Sequence, residues 1–181
     1  MKKDIKTIIL GVTGSIAAYK ACELTNLLKR EGFDVRVLLT REAKEFVTAL
    51  TLQTLSQNKV IMDMFESPEE WNPVHTSLAE EADLILIAPA TANIIAKLAS
   101  GICDDILTCT IFAADAPVLI APAMNDKMYE HKVVRDNIAK LKKIGYHFIG
   151  PIKGHLACGR EAVGHIAGLT DIIAEVKRLA K

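Results

Sequence analysis

Several features are missing from this 181-residue chain, and each absence excludes something. Neither sign of charge is in excess: Lys+Arg and Asp+Glu are both 22, a formal net charge of zero. That argues against a nucleic-acid partner held by phosphate neutralisation and against a polybasic membrane anchor. No uncharged run exceeds 13 residues, too short for a spanning helix. The four cysteines (Cys22, Cys103, Cys109, Cys158) form no CxxC pair and have no His partner at zinc-finger spacing, so no metal site is expected. Repeats, low-complexity tracts and linkers are also lacking. What remains is half hydrophobic and 24% charged, which suits one well-packed domain.

The N-terminus superficially resembles a secretory leader, with Met1-Lys2-Lys3 ahead of Thr7-Ile8-Ile9-Leu10. Asp4 interrupts the basic part, and Gly11, Thr13, Gly14 and Ser15 break the apolar part, so the expected location is cytoplasmic. In a reducing compartment the cysteines are expected to be mostly buried thiols, with Cys158, flanked by Gly, as the exception.

Short apolar runs alternate with helical patterns. The runs Thr7–Val12, Asp34–Leu39, Leu84–Ala88, Val118–Ala121 and Tyr146–Ile149 read as strands covered on both faces. Helices are predicted over Ser15–Arg30, Glu42–Leu55, Ala92–Ala99, Met128–Ile144 and Leu169–Ala180, the first from Ala17, Ala21, Leu24 and Leu28 at helical spacing. This alternation predicts an α/β protein: a single-domain, doubly wound, mostly parallel sheet of Rossmann or flavodoxin type. Ligands of such sheets bind beyond the carboxyl ends of the strands, so the loops after strands carry the candidates.

Gly11-Val-Thr-Gly14-Ser15 follows the first strand and opens a helix, a setting that attracts phosphate. It is not GxGxxG, and the second strand ends Leu39-Thr40-Arg41 without an acid for a ribose. A nicotinamide dinucleotide is therefore disfavoured, and a single phosphate held by Ser15 and Thr40 fits better. Thr91, Ala92 and Asn93 follow the third strand, Ala123, Met124, Asn125 and Asp126 the fourth, and Gly154-His155-Leu156-Ala157-Cys158-Gly159 the fifth. Each group is also open to a capping or turn explanation. His75 follows the polar insertion Ser67–Pro73, yet spacing alone gives it no more weight than His131, His147, His155 or His165.

Together, GVTGSIAAYK (Gly11–Lys20), TREAKEFV (Thr40–Val47), His75, APATAN (Ala88–Asn93), PAMNDKM (Pro122–Met128) and ACG (Ala157–Gly159) resemble the homo-oligomeric flavin-containing cysteine decarboxylases. The resemblance spans nearly the whole chain, and PAMN with ACG is its specific part. It implies FMN, with Gly14, Ser15 and Thr40 on the phosphate, Thr91, Ala92, Asn93 and Ile94 on the flavin ring, and Ala123 nearby. It implies His75 as acid–base residue, Asn125 on the substrate carboxylate and Cys158 on a flap as proton donor, with Met124, Ala157 and Gly159 completing the substrate side.

The implied reaction oxidises a cysteine thiol to a thioaldehyde, so that electrons released on CO2 loss flow into sulfur as an ene-thiolate. Cys158 favours the branch that reduces this to a saturated product, converting 4′-phospho-N-pantothenoylcysteine to 4′-phosphopantetheine in coenzyme A biosynthesis. Peptidyl-cysteine decarboxylases stop at the enethiol. The resemblance further implies a homotrimer or dodecamer with sites between subunits, and one FMN-binding domain over residues 1–181 without the synthetase domain of many bacterial versions. Three places depart from the family's usual pattern: Arg160 stands where an acid is frequent, Gly164-His165-Ile166 where Gly-Arg-Met/Leu is usual, and Thr91 and Ile94 where Ser and Thr are common. A flavin prenyltransferase, a non-catalytic flavoprotein subunit and a flavodoxin-like electron carrier are the alternatives.

Overall fold

A computed structural model of the protein describes residues 5–65 and 73–180. Most of the Ser67–Pro73 insertion (Ser67–Asn72) lies outside the described residues. Five strands form one parallel sheet in the order β2-β1-β3-β4-β5: β1 (Thr7–Val12), β2 (Asp34–Leu39), β3 (Leu84–Ala90), β4 (Val118–Pro122) and β5 (His147–Phe148). The order reverses between β1 and β3, which opens a crevice at the carboxyl ends of these two strands.

Strand alternation splits the core in two. Ile8, Leu10, Val12, Leu84 and Leu86 face α1 (Lys20–Arg30), α2 (Ala49–Ser56) and α8 (Leu169–Leu179), where Leu24, Leu28, Leu52, Ile172 and Val176 meet them. Ile9, Ile85, Ile87 and Ile120 face α4 (Ala92–Ser100), α5 (Ile106–Ala113) and α7 (Lys132–Lys143), together with Leu78 of α3 (Val74–Glu81). The central strands are buried on both faces, so their sequences read as unbroken apolar runs.

The five predicted strands are present, two with the predicted limits and the others shifted at their ends. Three predicted helices are divided. Ser15–Arg30 opens with a 3-10 turn (Ile16–Tyr19) before α1. Glu42–Leu55 consists of a 3-10 turn (Ala43–Glu45) and then α2, which Thr48 caps by accepting from the Thr51 N–H. Met128–Ile144 breaks at His131 into α6 (Asp126–Glu130) and α7. In the second and third a local cap, Thr48 or His131, outcompetes a continuous helix, whereas the first 3-10 turn runs directly into α1 through Tyr19 in helical conformation.

Two elements have no counterpart in the sequence reading. Helix α5 (ILTCTIFA) is β-branched and apolar on most sides, so it carries no amphipathic period. The antiparallel hairpin β6 (Ile152–His155) and β7 (Glu161–His165) is short, glycine-broken and largely exposed. The expectation of mostly buried thiols fails, since Cys103 is exposed and Cys22 and Cys109 are only partly covered, while Cys158, the expected exception, is exposed. Cys103 lies in the loop beyond the glycine-capped end of α4, which leaves it no layer to be buried under. Partial burial still pushes the Cys22 and Cys109 thiols up.

Asp105 starts α5 with a capping box. Its carboxylate accepts from the Thr108 N–H at 2.8 Å, the Thr108 hydroxyl accepts from the Asp105 N–H at 3.2 Å, and Lys97 donates at 2.9 Å. Burial opposes ionisation of Asp105, but the Thr108 and Lys97 hydrogen bonds and the Lys97 charge outweigh it and hold the carboxyl below the ordinary range. Removing this cap with Asp105→Ala is expected to lower unfolding stability by about 1–2 kcal/mol at neutral pH in urea titration. Because the folded-state value is the lower one, the contribution is complete above the unfolded carboxylate value near 3.9. It is lost as pH falls through the folded value, so the gap between parent and variant closes in strong acid.

Candidate active site

The crevice is built where three parallel strands end side by side. Thr13, just past β1 and buried, holds it together. Its hydroxyl donates to the Pro89 carbonyl at 2.7 Å and accepts from the Thr91 N–H at 3.1 Å, tying the loop after β1 to the loop after β3. Ser15 joins the third loop: its hydroxyl donates to the Ala123 carbonyl at 3.1 Å and accepts from the Ala17 N–H at 3.3 Å, capping the 3-10 turn. Thr91 caps α4 by accepting from the Ile94 N–H at 3.4 Å. Two helix starts therefore face one crevice, each with N–H groups that have no partner inside the helix. A side chain at Gly14 would bring its Cβ within 2.4 Å of the Glu42 Cβ, so only glycine fits this turn.

Two adjoining cavities occupy the crevice and share Gly14, Thr91, Ala92 and Met128. The larger, about 520 Å³, runs from Ser15, Thr91 and Ala123 to Met124, Asn125, Ala157 and Cys158. The smaller, about 240 Å³, is lined by Thr40, Asn93 and Ile94 besides the shared residues. Ser15 and Thr40 thus line different cavities that meet at Gly14. Of the residues to which the resemblance gives a role, all but His75 and Gly159 line one cavity or the other. Gly159 is exposed at the tip of the flap with φ +83°. His75 lies half-buried in the first turn of α3 and lines neither cavity of its own chain.

Asn125 combines its two readings. Its Oδ1 accepts from the Lys127 N–H at 3.0 Å and caps α6, which directs its Nδ2 to the Cys158 sulfur, 3.8 Å away. The hairpin β6–β7 presents Cys158 on a tight turn, closed by Leu156 N–H to Arg160 C=O and Gly159 N–H to Leu156 C=O, both 2.8 Å. Buried Leu156 anchors this flap, and the Met124 N–H donates to the Gly164 carbonyl at 3.0 Å. Any Cβ at Gly164 would lie 2.3 Å from the Met124 carbonyl oxygen, so this close approach requires glycine.

The sequence reading missed Tyr19 and Lys20, and gave no role to Met128, His155 or His165, all of which line the larger cavity. Lys20 Nζ lies 3.4 Å from His165 Nε2, and His165 Nδ1 lies 2.8 Å from the Ile166 carbonyl. The helical face after the Gly-Ser loop carried a signal for Lys20. His165 belongs to a strand that only the hairpin geometry brings over the crevice.

These features define a doubly wound α/β protein with a strand-end cleft suited to a phosphate-bearing planar group. The sequence profile of the Flavoprotein family matches residues 1–181, and the chain belongs to that family. It is 45% identical over 174 residues to a probable phosphopantothenoylcysteine decarboxylase of Streptococcus mutans, covering 95% of this chain and 97% of that protein. It is 48% identical over 168 residues, 93% of this chain, to the coenzyme A biosynthesis bifunctional protein CoaBC of Bacillus subtilis, of which it spans 41%. Among solved structures, a PPC decarboxylase with one cysteine changed to serine, complexed with pantothenoylaminoethenethiol, superposes with a TM-score of 0.87. It is 31% identical, covering 96% of this chain and 97% of that one. The FMN-dependent cysteine decarboxylase SpaF superposes with a TM-score of 0.85 at 28% identity, covering 98% and 97%. No helix among the described residues is long and apolar enough to cross a membrane.

The Thr13 cross-link is directly testable. Thr13→Val keeps the shape but leaves the part-buried Thr91 N–H without its acceptor, while the Pro89 carbonyl loses the hydroxyl and keeps only the residue-13 N–H at 3.3 Å. A loss of about 1–3 kcal/mol in urea unfolding is expected, and a change below a few tenths would show that the loops are held by other contacts.

Proposed function

We propose that the chain is an FMN-dependent decarboxylase that converts 4′-phospho-N-pantothenoylcysteine to 4′-phosphopantetheine for coenzyme A biosynthesis in the cytoplasm. The observation that carries this reading is the shared cavity: Asn125 and Cys158 on one wall, Ser15, Thr91, Ala92 and Ala123 on the other. The residues present fit FMN. The hydroxyls of Ser15, Thr40 and Thr91 and the two helix starts suit a phosphate ester, while Gly14, Ala92 and Ala123 leave room for a flat ring. When FMN is bound, the chemistry that it supplies is two-electron oxidation of the substrate's thiol-bearing carbon and return of that pair after CO2 is lost.

The chain's own residues bind and move protons. The Asn125 amide donates to the substrate carboxylate and orients it without neutralising it, so that neutral CO2 can leave while the C–C bonding pair stays on the substrate. Its Oδ1 is already occupied by the α6 cap, so the amide is held in one orientation. The Cys158 thiol gives its proton to the substrate carbon in the final reduction. An imidazole suits acid–base work on the substrate thiol, and His75 performs it on a site completed by a second copy of the chain. Two features support this: His75 lies outside its own chain's cavities, and apolar Ile16, Tyr19 and Met128 stand exposed at the cavity rim. The assembly is a homotrimer or a dodecamer built from trimers.

Anaerobic incubation of the flavin-loaded chain with 4′-phospho-N-pantothenoylcysteine, read by mass spectrometry, is expected to give the saturated product. Cys158→Ser should release CO2 and stop at the enethiol. His75→Asn should keep the flavin spectrum but lose turnover by at least ~100-fold, and light scattering should report a multiple of three chains. Absence of CO2 release from a flavin-loaded oligomer would end this reading in favour of a non-catalytic flavoprotein.

A further inference from the structure

The flap that presents Cys158 is short and exposed, and among the described residues its attachment to the rest of the molecule is uneven. At its base, Leu156 is buried and Gly164 bonds to Met124. At its tip, one charged contact reaches across: Arg160 Nη2 donates to Asp126 Oδ1 at 2.5 Å. Asp126 is the first residue of α6, adjacent to Asn125, whose Nδ2 faces the Cys158 sulfur at 3.8 Å. The tight turn brings Arg160 back beside Cys158, since the Arg160 carbonyl accepts from the Leu156 N–H two residues before the cysteine. The chain therefore grips α6 at two neighbouring positions, with a thiol on Asn125 and a guanidinium on Asp126.

We propose that the Arg160–Asp126 pair is a latch that positions Cys158 on Asn125 and thereby decides whether the reaction ends at the saturated or the unsaturated product. This rests on the decarboxylase reading above. In the step concerned, the Cys158 S–H bond breaks, the proton goes to the substrate carbon and the electron pair stays on sulfur. The electron pair that completes the reduction is the one removed from the same substrate when its thiol carbon is oxidised by the flavin. CO2 has already left by then. A flap that swings away from Asn125 takes the proton donor with it, and the enethiol dissociates. Arg160 is thus a positioning residue, and it acts through Cys158.

Charge–charge geometry supports the pair as the working part. A guanidinium offers several donors in one plane, so one edge can hold the carboxylate while the rest stays near the thiol. Asp126 lies at the start of α6, among its free backbone N–H groups. Slight desolvation opposes its ionisation, but the Arg160 hydrogen bond, those N–H groups and the Arg160 charge outweigh it and hold the carboxyl below its ordinary range. The other titratable groups around the flap are His155 of β6, His165 of β7, and Tyr19 and Lys20 across the cavity. Glu161 is engaged with Lys153, 3.8 Å away along the hairpin.

The test has two readouts. Hydrogen exchange of the flap peptide spanning 156–165, without substrate, should quicken roughly threefold in Arg160→Ala and little in Arg160→Lys, the size expected for an exposed ion pair. The ratio of saturated to enethiol product per CO2 released should fall in Arg160→Ala by a similar factor and be largely kept in Arg160→Lys. Raising salt from about 50 mM to about 1 M, where the screening length drops to ~3 Å, should lower the parent's ratio and leave that of Arg160→Ala unmoved. Equal exchange in parent and Arg160→Ala overturns the latch, and so does altered exchange with an unchanged product ratio. A parent that releases no CO2 sinks the decarboxylase reading instead, while the exchange measurement still decides whether the latch exists.

Discussion

A five-stranded parallel sheet whose central strands are buried on both faces imposes the constraint on which everything else here depends. Their backbone groups are satisfied within the sheet and their side chains within two apolar layers. The strands offer chemistry only where they end, and parallel strands all end on the same edge. The reversal of order between β1 and β3 keeps two of those ends from being covered by the same crossover, and the crevice forms there. The Thr13 hydroxyl then spans that gap. It uses both its donor and an acceptor position on the β3 loop, so the two halves of the crevice are held at one spacing.

At the rim of the crevice, helix capping and cavity lining fall on the same side chains. Ser15, Thr91 and Asn125 each cap a helical element, and each lines the larger cavity. These roles reinforce each other. A cap fixes a side chain's orientation with one polar atom and leaves the remaining capacity pointed in a known direction, as Asn125 shows by capping with oxygen and facing Cys158 with nitrogen. The capping explanation holds, and it leaves the same side chains at the cavity wall, where the proposed function would use them.

The flap obeys a different rule. It is an antiparallel hairpin outside the main sheet, anchored by one buried leucine and by the close approach of Gly164 to Met124. Its tip carries exposed Cys158, Gly159 and Arg160. A segment with so little buried surface opens at low cost, which suits the substrate-covering role proposed for it. The proposed Arg160 latch adds a weak, screened contact at the tip, where a strong one would hold the cleft shut.

Much of this was legible in the residues themselves. The runs at Thr7–Val12 and Asp34–Leu39 coincide with β1 and β2, although Asp34 and Arg36 interrupt the second, because Val35, Val37, Leu38 and Leu39 still mark a strand that packs into the core. The loops after the strands followed from the same argument, so Gly14, Ser15, Thr91, Ala123 and Asn125 were found before their neighbours were known. Helix α5 and the hairpin were not legible. The helix is apolar all round, and the hairpin is short and exposed, so neither writes a period into the sequence. The sequence by itself determined the sheet, its ligand edge and the residues waiting there, because burial and loop position are properties of local pattern. Tertiary structure alone decided that Cys158 meets Asn125, that Arg160 reaches Asp126, that His165 meets Lys20 and that His75 stands outside its own cleft. Those pairings join residues distant in sequence, and only the crossing of the chain over the sheet sets the distances between them.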